Sequence, residues 1–420
     1  MIAVGAAKKI QTDVLVLGAG VIGSAVAMGL ANAGVPKILT LDLDLSGEWS
    51  SSELNAGGVR ATWSQKVNLL TSKFSIEYFA TVADQVGYRD CGYLWLHRPE
   101  TFDAALKSRE MHVAAGWPVE VWDVNTIRSK IPFIDKTDDL AGALFGSRDG
   151  LLNPNRLKEH YREVAVEKGA QFMDGAWVVS ATPTGDSKTN VKAFQFKEGL
   201  STEEKKKLLI QNPKDESGFD LSKGEWIEIE ATHVVNAGGA WAGQFAKMLG
   251  YTSPASPLRR QISLFHARDL DLSHYGMIID PSGVYFHPES IYGLAGFAAN
   301  DTEGFNFEYD QERFFEEHIW APLYERSTHF ESLKHVTGWA GLYENSPDHH
   351  GIVGKVAEPV KSSIFEAHSF SGHGVMQSYG VGVALAELIT KQKYETLDLS
   401  QLSASRFQNG KHIESESWVI

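Results

Sequence analysis

Residues 13–23 read Asp-Val-Leu-Val-Leu-Gly-Ala-Gly-Val-Ile-Gly, an apolar run that leads into three closely spaced glycines. Residues 24–33 are small and apolar and predict a helix that ends at Gly34, and residues 37–43 predict a second strand. A strand, a Gly-rich loop, a helix and a strand in this order open a parallel sheet. The same order matches the fingerprint of a dinucleotide-binding site.

Each glycine of the fingerprint has its own physical reason. Gly18 permits the tight turn, Gly20 lets the backbone approach a pyrophosphate, and Gly23 allows the helix to pack closely on the sheet. Val21 and Ile22 stand between the second and third glycines, and the N-terminus of the following helix adds partial positive charge for a phosphate.

An acidic residue after the second strand completes the fingerprint. Asp42 lies nineteen residues after Gly23, where a carboxylate can accept hydrogen bonds from a ribose. Asp44 is the competing choice. The fingerprint alone does not distinguish FAD from NAD.

The composition excludes several other classes of protein. The chain has 420 residues and a net charge of −14, which disfavours nucleic-acid binding because that needs a basic surface. Cys91 is the only cysteine, so one chain has neither a disulfide framework nor a multi-cysteine metal site. No apolar run reaches the length of a membrane span. We expect a cytoplasmic protein without a metal, and an imported protein that has lost its leader remains the alternative.

The rest of the chain mixes helical and strand patterns. A polar segment at 184–228 contains the charge run 203–207 and is interpreted as a solvated surface insertion. A strand at 231–240 enters a pair of glycines. Helices are expected at 64–84, 101–116, 155–169 and 373–391. Strands of an antiparallel cap sheet are expected at 262–266, 277–280, 283–287 and 292–298.

Four further segments carry a family resemblance. They are Ser-Ser-Glu-Leu-Asn-Ala-Gly-Gly-Val-Arg at 51–60, Asn-Ala-Gly-Gly-Ala-Trp at 236–241, Gly-Trp-Ala-Gly-Leu-Tyr at 338–343 with Pro347 and Asp348, and Phe-Ser-Gly-His-Gly-Val-Met at 370–376. In content and order they resemble the D-amino-acid oxidase and sarcosine oxidase superfamily, from about residue 12 to 408. Residues 394–400 and Arg406-Phe407 resemble the branch of the mitochondrial FAD-dependent oxidoreductase-domain protein linked to complex I assembly.

The resemblance implies an α/β fold with an α+β cap, in which a Rossmann-like FAD-binding domain is interleaved with an antiparallel-sheet substrate domain. The FAD-binding domain would comprise residues 12–90, 145–255 and 335–400, including the insertion 184–228. The substrate domain would comprise 91–144 and 256–334. The expected cofactor is therefore FAD.

Together with the fingerprint, the resemblance assigns a set of site residues. Those implied for cofactor binding are Gly18, Gly20, Val21, Ile22, Gly23, Asp42, Asn55, Ala56, Gly57, Gly58, Val178, Ala237, Gly238, Trp241, Gly341, Gly372, His373, Gly374, Val375 and Met376. Those implied for catalysis or substrate contact are Arg60, Tyr285, His287, His373 and Met376.

Each catalytic candidate has a structural alternative. Arg60 follows a Gly-rich loop and could lie near the flavin or a substrate carboxylate, or form a structural ion pair. Tyr285 and His287 share one face of a strand, because side chains two apart point the same way. That face could line a substrate pocket or be a packed aromatic strand with an exposed histidine. His373 could have no proton role and simply be bonded to the backbone. Arg259 or Arg260 could bind an anionic substrate or lie on the cap surface.

Two departures from the family affect the expected chemistry. Met376 stands where sarcosine oxidase-like members carry a Lys for the substrate carboxylate. The sequence also has no Lys between Lys247 and Lys334, where such oxidases keep a Lys that promotes reaction with oxygen. We therefore expect a dehydrogenase rather than a fast oxidase.

The expected attachment of FAD is noncovalent. Some family members tether flavin through a Cys, and Gly341 replaces that Cys here. Other members tether flavin through a His in the loop that corresponds to 46–60, and this loop contains no histidine.

The sequence predicts an enzyme that oxidises the C–N bond of a small amine or amino acid, with an unknown electron acceptor. A second hypothesis is an assembly or chaperone-type protein whose flavin is structural. A third, an NAD-linked dehydrogenase, would need a second nucleotide fingerprint, and none is evident.

Overall fold

The structure is a computed structural model that describes residues 7–184, 188–268, 270–297, 302–357, 363–408 and 413–419. The strands of these residues, in chain order, are β1 Lys8–Leu17, β2 Ile38–Leu41, β3 Gly58–Val59, β4 Tyr93–His97, β5 Val119–Trp122, β6 Gly142–Gly146, β7 Gly150–Leu151, β8 Gln171–Met173, β9 Ala176–Thr184, β10 Lys188–Phe196, β11 Gly224–Asn236, β12 Ser256–His266, β13 Met277–Ile279, β14 Val284–Glu289, β15 Tyr292–Phe297, β16 Lys334–Asn345, β17 Ile352–Lys355 and β18 Ser363–His368.

The helices of the same residues include one π-helix, Glu312–Trp320, and four short 3₁₀ segments, Glu216–Gly218, Gly239–Trp241, Thr328–Phe330 and Ser400–Leu402. The α-helices are α1 Val21–Asn32, α2 Lys66–Thr81, α3 Ala83–Val86, α4 Pro99–Ala114, α5 Val124–Lys130, α6 Pro154–Glu167, α7 Thr202–Gln211, α8 Ala242–Met248, α9 Ala321–Arg326, α10 Gly374–Lys391 and α11 Ser405–Gln408.

The chain divides into two compact units, each built from three segments. Unit 1 consists of Met1–Glu53, Pro154–Leu258 and Tyr343–Ser415, and unit 2 consists of Leu54–Asn153, Arg259–Leu342 and Glu416–Ile420. Residues 54–90, predicted to belong with the FAD-binding segments, lie in unit 2. The units reflect compactness alone, so the functional grouping of segments stays a prediction.

Unit 1 contains a mostly parallel sheet in the order β17-β18-β11-β1-β2-β8, with β9 and β10 added to β11 as an antiparallel ribbon. β1 runs parallel to both β11 and β2, and β18 runs parallel to β11. Residues 14–17 of β1 are buried, since a central parallel strand is covered on both faces. The parallel sheet predicted from the opening stretch is confirmed.

Helices α1 and α10 pack against each other through glycine. A Cβ added at Gly29 would lie 2.3 Å from the carbonyl oxygen of Gly382, and one added at Gly382 would lie 2.4 Å from that of Ala25. No side chain fits between the helices at these points. α1 begins at Val21, earlier than predicted, and ends before Gly34, whose φ is +80°.

The interpretation of 184–228 as a solvated insertion is wrong for its strands. β10 pairs with both β9 and β11, and its Val191, Ala193 and Phe194 are buried. The charge run at 203–207 falls on α7, which has no buried residue, so the exposed face predicted there is confirmed. Residues 185–187 of the predicted insertion lie outside the described residues.

Unit 2 contains a sheet in the order β16-β12-β15-β14-β13-β4-β6-β5. β12, β14 and β15 pair antiparallel, whereas β13 and β4 pair parallel. Phe265 and Phe286 belong to a hydrophobic core that also includes Ile127 of α5 and Phe314 of the π-helix. The four predicted strands therefore lie in one sheet and pair antiparallel with one another, although the sheet as a whole is mixed. Its role as a substrate cap stays a prediction, and Ala298 of the last predicted strand lies outside the described residues.

Within the described ranges, no helix is long and apolar enough to cross a membrane.

Candidate functional site

The loop between β1 and α1 needs glycine for packing at two of its three fingerprint positions. Gly18 has a φ of +100°, and a Cβ there would lie 2.5 Å from the carbonyl oxygen of Ala237. A Cβ at Gly23 would lie 1.9 Å from the carbonyl oxygen of Gly18. At Gly20, a Cβ would meet only Ser52 Oγ, at 3.3 Å, among the described atoms within 4 Å. The space at Gly20 is thus open for a bound group, as a pyrophosphate requires.

The N-terminus of α1 is suited to an anion. Its N-cap residue, Gly20, has no side chain to cap it, and no acidic residue lies in its first turn. The backbone N–H of Val21 donates to Ser52 Oγ at 3.0 Å, while the side chains of Val21 and Ile22 are buried. The positive end of the helix dipole is therefore available to a phosphate.

Of the two candidate ribose ligands, Asp42 has the better position. Its Oδ2 accepts the N–H of Ala19, in the Gly-rich loop, at 2.6 Å, and burial raises the pKa of this carboxyl. Asp44 accepts the hydroxyl of Ser46 at 2.6 Å and lies 3.0 Å from Lys205 Nζ. The Asp44 carboxyl is thus occupied by Ser46 and Lys205, whereas the Asp42 carboxyl lies beside the Gly-rich loop.

The segment at the end of β11, residues 236–241, packs against Gly18, the first glycine of the loop between β1 and α1. Asn236 is fully buried, and its Oδ1 accepts the N–H of Gly238 at 3.3 Å. Its neighbour Ala237 presents the carbonyl that excludes a side chain at Gly18. A Cβ at Gly238 would lie 2.4 Å from the ring of Phe245. Two predicted cofactor-binding segments are therefore in direct contact within unit 1.

Two predicted cofactor residues use their side chains for packing. The indole N–H of Trp241 donates to the carbonyl of Leu209 at 2.9 Å. Val178 is buried in β9 and lies in the same hydrophobic cluster as Leu41 and Val191. Their contact with FAD stays a prediction, and for Val178 it would have to come from the backbone.

The turn before α10 has an unusual backbone. Ser369, Ser371 and Gly372 have φ values of +60°, +48° and +92°, a region that serine rarely adopts. A Cβ at Gly372 would lie 2.4 Å from the ring of Tyr343, so glycine is required there on steric grounds as well. Strained backbone of this kind concentrates at functional sites.

Helix α10 begins as α1 does, with no side-chain cap and no acidic residue in its first turn. His373 at its N-cap position is buried, and Gly374 is its first residue. Val375 and Met376 are buried as well, with exposed fractions of 3% and 6%. A positive helix end thus follows the strained turn, at residues that the family resemblance assigns to cofactor binding.

Sequence reasoning missed Glu344. Its carboxyl accepts hydrogen bonds from the N–H groups of Ser369 and Phe370, and burial raises its pKa to about 7. Its Oε2 lies 3.9 Å from the position of a Cβ added at Gly239. Glu344 therefore connects the turn before α10 with the glycine pair after β11. Its only sequence signal was an acidic residue next to the Gly-Leu-Tyr motif at 341–343.

In unit 2 the predicted flavin loop 55–58 is tightly supported. Asn55 Oδ1 accepts the N–H of Gly57 at 2.6 Å, and the carbonyl of Gly57 accepts the N–H of Leu152 at 2.9 Å. A Cβ at Gly58 would lie 1.8 Å from the hydroxyl oxygen of Tyr93, a buried residue that the sequence did not point to. Glycine at 58 is thus required by a neighbouring side chain.

Further predicted residues lie around the same loop. A Cβ at Gly341 would be 3.0 Å from Leu54 Cβ. His287 is only 2% exposed. The alternative interpretation, in which this histidine is exposed on a packed aromatic strand, is therefore wrong. The Nδ1 of His287 lies 2.9 Å from the carbonyl oxygen of Pro288. Burial lowers its pKa, and the backbone of Pro288 and Ala56 opposes that shift.

Arg60 has contacts that favour the structural alternative. It is 2% exposed and donates to the carbonyls of Thr62 and Trp418. Its guanidinium lies 3.5 Å from the ring centroid of Trp63 and 4.8 Å from that of Trp95. Cation–π contacts of this kind stabilise a desolvated guanidinium. Contact with flavin or substrate stays a prediction for this residue.

Comparison with known proteins agrees with this geometry. The family model of the DAO-type FAD-dependent oxidoreductases matches residues 13–388. The chain belongs to this family. The FAD-dependent oxidoreductase domain-containing protein 1 of Bos taurus is 29% identical over 433 residues, covering 96% of this chain and 86% of the relative. The monomeric sarcosine oxidase of Bacillus sp. (strain NS-129) is 25% identical over 281 residues, covering 63% and 62%.

A solved structure shares the fold. The L-proline dehydrogenase from P. horikoshii superposes with a TM-score of 0.80 at 21% identity, covering 96% of this chain and 99% of that one. The predicted family, fold class and cofactor are therefore confirmed, and FAD is the cofactor of the family. The open position at Gly20, the N-terminus of α1 and the carboxyl of Asp42 fit its pyrophosphate and ribose.

Proposed function

We propose that the protein oxidises the C–N bond of a small amine or amino acid, such as an N-methyl or D-amino acid, and that it works as a dehydrogenase rather than a fast oxidase. The observation that carries this proposal is the sequence match to monomeric sarcosine oxidase within an FAD-dependent family. The name of the structural neighbour, L-proline dehydrogenase, supports it. Sarcosine and L-proline are both secondary amino acids.

FAD, when bound, supplies the acceptor for a hydride from the carbon next to nitrogen, leaving an imine that water hydrolyses. The residues of unit 1 would hold and orient that acceptor. The α1 N-terminus would bind the pyrophosphate and Asp42 the ribose, while the α10 N-terminus would lie against the pyrimidine ring. No protein base is required if the amine enters neutral.

One face of the sheet in unit 2 suits a substrate anion. Tyr285, Gly296 and Ile262 lie side by side on paired strands, and the Tyr285 ring covers Gly296. Arg260 lies two residues before Ile262 on β12 and so shares this face. Arg259 points to the opposite face, and its Nη1 donates to the carbonyl of Glu308 at 2.8 Å. We therefore propose Arg260, rather than Arg259, as the ligand of a substrate carboxylate.

The dehydrogenase assignment rests on a missing lysine. Reaction of reduced flavin with oxygen is helped by a nearby cation, because superoxide is an anion. The stretch between Lys247 and Lys334 has no lysine, and Met376 puts a neutral thioether where relatives carry a cation. Electrons would pass to an acceptor other than oxygen.

The proposal is tested by anaerobic flavin bleaching against a panel of N-methyl, D- and L-amino acids. We expect a secondary amino acid to bleach the flavin absorbance, and Arg260→Lys to raise the concentration needed more than Arg259→Lys does. A panel in which no amine bleaches the flavin would refute the proposal.

A flavoprotein with an assembly role is the competing function. The replacement of the carboxylate-binding Lys by Met376 favours it, since a structural flavin needs no substrate ligand. It predicts flavin that stays oxidised with every amine of the panel.

We also propose a cytoplasmic location, with import into an organelle as the alternative. Fractionation of cells that express the full-length gene distinguishes the two.

A further inference from the structure

The carboxyl group of Glu344 occupies the strained turn before α10. It accepts the backbone N–H groups of Ser369 and Phe370, and the carbonyl of Glu344 accepts the N–H of Ser371 at 3.1 Å. Successive N–H groups in turns with left-handed residues form concave sites for anions. Here a carboxylate of the protein itself fills such a site, directly before a helix N-terminus.

Among the described residues, no cation balances the charge of this carboxylate. No basic side chain of the described residues contributes to its ionisation, which is governed by burial and backbone hydrogen bonds. Two other titratable groups lie on neighbouring elements. His368 ends β18, with its Nε2 3.1 Å from Glu366 Oε2, and His373 stands at the N-cap of α10. Because Glu344 titrates near neutrality, its charge changes in the ordinary working range of an enzyme.

We propose that Glu344 is a positioning residue that tunes the reduction potential of FAD through the α10 N-terminus. The inference rests on the proposed placement of the flavin pyrimidine against that helix end. The helix dipole stabilises the negative charge that reduction adds to the flavin. An ionised Glu344 opposes this effect, whereas a protonated Glu344 does not. Loss of the Glu344 proton should therefore make the flavin harder to reduce.

The test is the flavin reduction potential of the holoenzyme, measured anaerobically by equilibration with a reference dye and without substrate. We compare wild type, Glu344→Gln and Glu387→Gln well below and well above the Glu344 pKa of about 7. Glu387 is a matched control, because it also accepts two backbone N–H groups, of Glu395 and Thr396, both at 2.9 Å.

We expect Glu344→Gln to shift the potential to more positive values at high pH and to leave it unchanged at low pH. Glu387→Gln should match wild type throughout. Glu344→Asp keeps the charge and should keep the low wild-type potential at high pH, which provides a second test if the Gln variant does not fold.

Equal potentials for wild type and Glu344→Gln at both pH values would overturn the inference. So would a pH-dependent difference that appears in His368→Gln instead. Because no substrate is used, these outcomes are independent of the proposed function, whose failure would show as the absence of flavin bleaching by any amine.

Discussion

Gly20 is the residue at which the nucleotide site can be tested most directly, because the protein leaves space beside it. A Cβ there would meet Ser52 Oγ at 3.3 Å and no other described atom within 4 Å. We expect Gly20→Val to fold but to lose FAD, since the new side chain would occupy the approach of the pyrophosphate. The ratio of flavin to protein absorbance after purification measures the loss.

Gly199→Val is the matched control, because an added Cβ at Gly199 has no described atom within 4 Å. It should remain yellow with the melting temperature of wild type. A Gly20→Val protein that kept a full complement of FAD would show that the fingerprint does not bind the pyrophosphate.

Arg60 is the residue whose predicted role the contacts change most. It lies between Trp63 and Trp95 and bonds to two backbone carbonyls. Burial raises the pKa of the Asp149 carboxyl to about 6, and the positive charge of Arg60 opposes this shift. We expect Arg60→Ala to destabilise unit 2 by about 3 kcal/mol, as for other buried charges that lose a partner.

Thermal unfolding of Arg60→Ala beside Arg259→Ala checks this expectation. Arg259 lies at a partly exposed position, so its removal should have a small effect. The contrary outcome is a small and equal decrease of the melting temperature in both variants, together with a flavin spectrum that changes only in Arg60→Ala. That outcome would support a position of Arg60 near the flavin.

At the scale of elements, the contact of α1 with α10 determines where two helix ends lie. A Cβ at Gly382 would lie 2.4 Å from the carbonyl oxygen of Ala25, and backbone cannot move aside as a side chain can. We expect Gly382→Val to reduce the stability of unit 1 by about 3 kcal/mol, the upper range for overpacked cores, and to weaken FAD binding. Isothermal titration of the apoprotein with FAD, with Gly199→Val as control, measures the second effect. Wild-type affinity in Gly382→Val would show that this packing does not position the site.

Sequence patterns predicted the elements whose signals are local. The apolar run at 14–17 and the adjacent glycines specify β1 and the loop, because both depend on neighbours in the chain. β10 was missed, since its buried Val191 and Ala193 alternate with polar residues, its partner β9 was not recognised, and β11 was recognised only from residue 231 onwards. A hairpin strand with one polar face resembles a loop in sequence when that face alone is considered.

The site residues follow the same division. The fingerprint glycines carry their own signal, whereas Tyr93 and Glu344 act on segments that are distant in sequence. Tyr93 reaches Gly58, and Glu344 reaches Ser369. No helical or strand periodicity in the sequence predicts such contacts, so they can be identified only in the folded structure.

For the whole molecule, the mode of FAD attachment is a direct test. We expect acid or heat precipitation to release all the yellow colour into the supernatant, because Gly341 cannot tether flavin and 46–60 contains no histidine. Cys91 is partly buried, and burial raises the pKa of its thiol, which makes it a poor nucleophile. Flavin fluorescence that migrates with the polypeptide on a denaturing gel would contradict this prediction.

The whole enzyme should also react slowly with oxygen. Stopped-flow mixing of the reduced protein with air-saturated buffer measures the rate of flavin reoxidation. We expect it to be at least tenfold slower than in a lysine-containing oxidase examined side by side, which corresponds to about 1.4 kcal/mol of lost transition-state stabilisation. Equal rates would mean that another group supplies the positive charge.

The interleaving of the two units has a consequence for biosynthesis. β1 pairs with β11, and the paired residues Gln11 and Glu230 are 219 positions apart. While the ribosome makes the intervening chain, residues 14–17 can pair with β2, but the edge of β1 that pairs with β11 has no partner. Such long-range pairing folds slowly and exposes surfaces that aggregate. Recovery of active protein should therefore depend on chaperones that shield this first strand until translation has passed residue 236.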